Sequence, residues 1–204
     1  MALAATHIRF ALDTRKKYTI QNLEQYISGT IYPDSRYFTK IDRGLTHNSD
    51  ILLESFATSD FKKGWQVHCL CDIMQAEKMK ELFSDLLIKD GTELGWIKLT
   101  AIKVLEDMFD MQEFDLQGQL NCLEYIENPN GENIHKVRQY YDSIIKKIYQ
   151  GKKVCAIEDY KKSWEGVDLD PRLIGKVVRM IGEFSQNPAI MKKVKSLYGL
   201  MAKE

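Results

Sequence analysis

Along most of the chain apolar residues return every three or four positions, the spacing that gathers them on one face of an α-helix, while strand-like alternation is nearly absent. Leu3, His7, Phe10 and Ala11 share one stripe and predict a helix over about residues 3–15. A second helix is predicted over about 20–28, opened by Thr19 and stopped by Gly29. The segment TIYPDSRYFTKIDRGLTHN then reads as irregular, with Tyr32-Pro33-Asp34 extended before the proline and turning so as to present the Asp34 carboxylate. A short helix follows over about 49–58, capped by Asn48 or Ser49, and a long one starts at Ser59 or Asp60 and runs to about 88. The remaining periodic stretches lie at about 92–110, 115–127, 131–150, 155–164, 170–184 and 187–202. NPNG at 128–131 and QNP at 186–188 separate them, and Asp170-Pro171 is a helix-starting pair.

Composition narrows the class. With 204 residues and 44% hydrophobic content the chain can bury one substantial core, so together with the helical periodicity the expected fold is all-α, a single-domain multi-helix bundle. Residues 1–90 form the half that holds the site and residues 91–204 the packing half, whose last helices are Lys-rich and poor in chemically suggestive side chains. The charges balance at 29 basic and 29 acidic residues, so nothing pulls the whole molecule toward nucleic acid or an anionic membrane. No apolar run approaches the roughly 20 residues that cross a bilayer. The N-terminal stretch is broken early by His7, Arg9 and Asp13 and does not read as a secretory signal. Cys69, Cys71, Cys122 and Cys155 read as reduced, mostly buried thiols, which fits a cytoplasmic protein.

Candidate chemistry concentrates in FKKGWQVHCLCDIMQAEKMKELF. At helical spacing Phe61, Trp65, His68, Asp72, Ala76, Met79 and Phe83 form one narrow, otherwise apolar stripe, so His68 and Asp72 face inward together. An imidazole and a carboxylate one turn apart can reach the same divalent ion from one rigid element; they can equally form a buried pair that only fixes packing. His7 is a second inward histidine, and a core histidine bonded to a carbonyl is its plainer reading. The irregular segment adds Asp34 and His47, with Arg36, Lys40 and Arg43 available to neutralise a phosphate. Asp34 can also serve as a turn-former or cap, and Lys40 as solvated charge. His135 reads as surface. Glu106, Asp107 and Asp110 are candidate extra ligands, although an exposed acidic face explains them more simply.

The order of an early helical His7, Gly29 to Asp34, Thr46-His47 and Gly64-His68-Asp72 resembles the zinc-dependent phospholipase C family and its relatives, the zinc-dependent single-strand-specific nucleases. The resemblance covers about residues 1–75. It implies an all-helical fold with metal between helices, zinc as the ion, and His7, Asp34, His47, His68 and Asp72 as ligands. It further implies a metal-activated water attacking a small phosphoester or phospholipid-like substrate, with Asp34 as bridging ligand or base. Arg36, two residues from Asp34, is the preferred phosphate partner. The family's later His and Glu ligands have no counterpart beyond Asp72 other than His135, so one or two ions are expected instead of three. The family's N-terminal tryptophan ligand is absent as well. A helical nucleotide phosphohydrolase of the type built on an adjacent His-Asp pair is disfavoured because no such dipeptide occurs. The alternative of another class is a catalytically inactive helical interaction protein that retains the family's shape.

Overall fold

The computed structural model describes residues 3–48, 50–53, 59–86 and 91–203. Among them every regular element is helical, so the all-α expectation holds. In chain order the main helices are α1 (Ala4–Thr14), α2 (Leu23–Ile31), α3 (Asp60–Leu82), α4 (Glu93–Asp110), α5 (Leu116–Leu120), α6 (Ile134–Tyr140, continued by a π-helical stretch Tyr141–Lys146 and Lys147–Tyr149), α7 (Ile157–Gly166), α8 (Pro171–Ser185) and α9 (Pro188–Met201). Between α2 and α3 the chain makes short helical turns at Tyr32–Ser35, Arg36–Thr39, Arg43–Thr46 and Asp50–Leu53. Part of the helix predicted over 49–58, the Ser49 cap, and the end of the one predicted to reach 88 lie outside the described residues.

The starts follow capping chemistry. Asn22, Ser59, Thr92, Asp115, Asn133, Asp170 and Asn187 each accept a backbone N–H of the first turn they precede, with Pro171 and Pro188 at first positions where no N–H is needed. Ser59, and not Asp60, caps α3. The buried Asp60 carboxylate reaches across to the entrance of α2 and accepts from the Gln21 and Asn22 N–H groups at 2.9 and 2.6 Å. Thr19 therefore does not open α2; it sits in the left-handed region at φ 49° and ends the turn before it.

Gly29 does not stop α2, because its missing side chain is needed for packing. A Cβ on Gly29 would stand 1.9 Å from the Phe61 carbonyl oxygen, and one on Gly64 would stand 2.0 Å from the Tyr26 carbonyl oxygen. The two glycines lie reciprocally at the crossing of α2 and α3, whose backbones touch there. The chain then stays helical into Pro33: Tyr32 has φ −51° and ψ −44°, not the extended conformation predicted before proline. Pro33 is tolerated because it enters a fresh 3-10 turn where its absent N–H costs nothing.

α1 packs on α2, α3 and α4, while α8 and α9 lay amphipathic faces on α4 and on the α3–α4 pair. Those last helices bury Ile174, Val177, Ile181, Phe184, Ile190, Val194 and Leu197 and turn their lysines outward, as expected. The four cysteines are free and buried. Of the stripe proposed on α3, Phe61, Trp65, His68, Met79 and Phe83 are buried, but Ala76 is exposed and Gln75 is buried in its place. None of the described helices is long and apolar enough to cross a membrane.

Candidate metal centre

His7 on α1, Asp34 in the 3-10 turn after α2, His47 at the end of the Arg43–Thr46 turn, and His68 and Asp72 on α3 meet at one place. The local reasons are visible for each. His68 and Asp72 are one turn apart on a helix whose position is set by the glycine crossing. Asp34 is delivered by α2 running on through Pro33. His47 follows Thr46, whose carbonyl accepts the Trp65 indole N–H at 2.6 Å and so ties this turn down onto α3. His7 is fixed by the start of α1, because Asp107 on α4 accepts the Ala5 and Thr6 N–H groups at 2.9 and 3.2 Å.

The second nitrogen of each central imidazole decides what the first can do. His68 Nδ1 lies 2.8 Å from the Thr30 carbonyl, which can only accept, so Nδ1 carries the proton and Nε2 offers its lone pair. His47 Nδ1 lies 2.8 Å from the Thr46 hydroxyl, which has the Arg43 carbonyl at 3.4 Å to donate to. Each Nε2 then points inward, and the two are 3.2 Å apart. With His47 protonated on Nδ1 the two Nε2 lone pairs face each other and a positive charge between them relieves the repulsion; with it protonated on Nε2 the contact is a hydrogen bond to His68 Nε2. Around them Asp34 Oδ1 stands 3.6 Å from His47 Nε2 and 4.0 Å from His68 Nε2, and Asp72 Oδ2 stands 3.7 and 3.9 Å from the same atoms. A tetrahedral zinc with bonds of about 2.0–2.1 Å would hold its ligand atoms about 3.4 Å apart, close to these edges.

His7 belongs to the margin of this group. Its ring stacks on His68 with centroids 3.8 Å apart and planes 15° from parallel, which directs its Nε2 to the other Asp72 oxygen, Oδ1, at 3.6 Å. Neither His7 nitrogen has a hydrogen-bond partner, and neither does Asp34 Oδ1, although all three atoms are buried. Asp72 can thus face the His47–His68–Asp34 group with one oxygen and His7 with the other. Two overlapping donor sets result, His7–His68–Asp72 and Asp34–His47–His68.

Protonation suits ligation. Burial, reinforced by the neighbouring imidazole, holds His7 well below the ordinary histidine value; burial also lowers His68 against the pull of Asp34 and Asp72. Burial alone would raise the Asp34 carboxyl, but His68, His47 and His7 bring it below its usual range. Asp72 is held well below it too, against burial, which alone would raise it. Neutral imidazoles beside ionised carboxylates are the forms that bind a divalent cation.

The outlying candidates fare differently. Lys40 and Arg43 are exposed; Arg36 lays its guanidinium 4.0 Å over the Tyr37 ring and bonds the Tyr37 hydroxyl. No described contact ties Arg36 to the five ligands. His135 is exposed. Glu106, Asp107 and Asp110 do not form an exposed acidic face: they are 1%, 0% and 1% exposed. Asp107 is committed to structure, since besides the α1 amides it accepts the Tyr149 and Tyr160 hydroxyls, both at 2.8 Å. Compared with protein-family models, with curated proteins and with solved structures, the chain matches none. The functional reading therefore rests on the geometry of these side chains and on their order in the sequence. Thr30 and Thr46, which orient the two central rings, escaped sequence reasoning; a threonine in front of a histidine in LTH was the available signal for one of them.

Proposed function

We propose that the protein is a metal-dependent phosphoester hydrolase whose ion, zinc in preference to harder cations, is held by His47, His68, Asp34 and Asp72, with His7 and Asp72 available to a second ion. The observation that carries the metal reading is the convergence of His47 Nε2 and His68 Nε2, 3.2 Å apart, on two carboxylates held below their usual range, with a lone pair on each ring when His47 is protonated on Nδ1. The set of imidazole and carboxylate donors favours zinc. The phosphoester chemistry is supported by the spacing resemblance of the first third of the chain. A divalent ion at such a site brings the pKa of a water to about 7 and polarises the phosphoryl oxygen. The protein's own part is to orient both central imidazoles through Thr30 and Thr46, to hold Asp34 ionised as ligand or as the base that orients the water, and to bring Arg36 toward substrate from the adjacent turn.

One observation favours a second reading, a metal-stabilised scaffold without catalysis. Every candidate ligand comes from the protein itself, as in structural zinc sites, and the two carboxylates are only 10% exposed. The test joins metal analysis to turnover. Protein purified without chelator, or reloaded with zinc, should contain at least one stoichiometric ion and hydrolyse a chromogenic phosphodiester, and both properties should vanish in His68→Ala and Asp72→Ala. Stoichiometric zinc without hydrolysis would establish the scaffold reading. Absence of zinc from reloaded protein would defeat both.

A further inference from the structure

A second set of buried oxygens lies beside the imidazole centre and differs from it in kind. Glu106 and Asp110 are one turn apart on α4 and so share a face. Glu106 Oε2 accepts from Gln75 Nε2 of α3 at 2.6 Å, and Asp110 Oδ1 accepts from Arg9 of α1 at 2.8 Å. The Thr6 hydroxyl of α1 lies next to Asp110. None of Thr6, Gln75, Glu106 and Asp110 is more than 1% exposed. Within this cluster Gln75 Oε1 and Glu106 Oε1 are buried acceptors without a hydrogen-bond partner, and Asp110 Oδ2 has at most the adjacent Thr6 hydroxyl.

Such vacancies are costly. A buried acceptor without a partner forfeits its hydration, and a buried carboxylate without a counter-charge forfeits far more. Arg9 engages Asp110 Oδ1 and Lys103 also acts on Glu106, yet burial, and for Glu106 the neighbouring Asp110, push Glu106 well above its usual range and Asp110 up to about 6. The thiol of Cys71, which feels Asp72, Glu106 and Asp110, is kept protonated by burial and adds no positive charge. The unused atoms are an amide carbonyl and two carboxylate oxygens, with a hydroxyl alongside. That is an all-oxygen set, the kind that holds Mg²⁺, Ca²⁺ or Mn²⁺.

We propose that Gln75, Glu106 and Asp110, with Thr6, form a second site for a hard divalent cation that braces α1 against α3 and α4. The site does not depend on the hydrolase reading and uses none of the five ligands of the imidazole centre. Its rival is a proton shared by the two carboxyls.

The test uses the full chain, stripped with chelator, its imidazole centre first filled with zinc, then titrated with Mn²⁺ while free Mn²⁺ is followed by electron paramagnetic resonance. Wild type should bind one saturable equivalent of Mn²⁺. Gln75→Leu, which keeps volume and charge, and Glu106→Gln should each weaken it by about tenfold or more, while His47→Ala should leave Mn²⁺ binding unchanged. No saturable Mn²⁺ in wild type, or affinity unaltered by both Gln75→Leu and Glu106→Gln, would overturn the proposal. So would an infrared carbonyl band of a protonated carboxylic acid at neutral pH that persists when Mn²⁺ is added and is absent from Glu106→Gln. Loss of zinc binding in His47→Ala with Mn²⁺ binding intact separates this site from the first.

Discussion

Asp107 and the pair His47–His68 are both buried polar clusters in the same helical body, yet their hydrogen bonding is opposite. Asp107 presents four acceptor positions and four donors arrive: two amides from the start of α1 and two tyrosine hydroxyls from α6 and α7. At the imidazole centre His68 Nδ1–H is turned away to the Thr30 carbonyl and His47 Nδ1 to the Thr46 hydroxyl, so at most one proton lies between the two neutral Nε2 atoms. A buried polar group whose partners are all protein groups stabilises the fold. A buried group whose outward partners are arranged and whose inward ones are missing is waiting for something the chain does not supply.

That contrast can be broken most forcefully at Asp107. Asp107→Ala leaves two amides and two tyrosine hydroxyls without their acceptor and should cost about 4 kcal/mol of stability, read as a lowered urea midpoint. An unchanged midpoint would show that water replaces the carboxylate. The imidazole centre should respond to metal instead: zinc at a hundredfold excess over its Kd should stabilise wild type by about 2.7 kcal/mol and His68→Ala hardly at all. Equal shifts in thermal midpoint for both proteins would remove the distinction.

A pH series sharpens the same comparison. Burial pushes the Asp107 carboxyl up to about 7 in the folded protein despite its hydrogen bonds. A folded value above the unfolded one means the native state holds the extra proton between about pH 4 and 7, so this group's contribution to stability falls as pH rises through that window. The stability difference between wild type and Asp107→Asn should therefore narrow by about 3 kcal/mol from pH 4.5 to 7.5; a widening difference would contradict the assigned direction. The smallest effect belongs to metal-free His47→Ala, which removes one of the two facing Nε2 atoms and should change stability by less than about 1 kcal/mol. A large loss in the absence of any metal would mean that the histidines already satisfy one another.

Much of the centre was legible because helical periodicity is a local property. His68 and Asp72 share a face by spacing alone, and the inward position of His7 follows from its place between Leu3 and Phe10. Asp34 and His47 do lie beside His68 and Asp72, but by a different route from the one expected, since the chain before Pro33 is helical and not extended. What spacing could not reveal depends on a second element. Gly29 resembled a helix stop because glycine commonly ends helices, whereas its use, contact with the Phe61 carbonyl, is visible only once α3 lies across it. The carboxylates of LEDMFD resembled a solvated face for the same reason: α4 is covered by α1 on one side and by α8 and α9 on others, and no pattern within α4 announces Arg9, Gln75 or the two tyrosines. Thr30 and Thr46 act through a carbonyl and a hydroxyl, groups too common to stand out in a sequence.

The glycine crossing reaches beyond packing. Thr30, whose carbonyl orients His68, directly follows Gly29, and His68 lies one turn after Gly64, so ring and carbonyl are both anchored where two backbones meet without side chains between them. Were an ion bound here, the place of the His68 ring would be dictated by that backbone contact, so a side chain added at Gly29 or Gly64 would disturb the centre from a distance without touching any of its five polar groups.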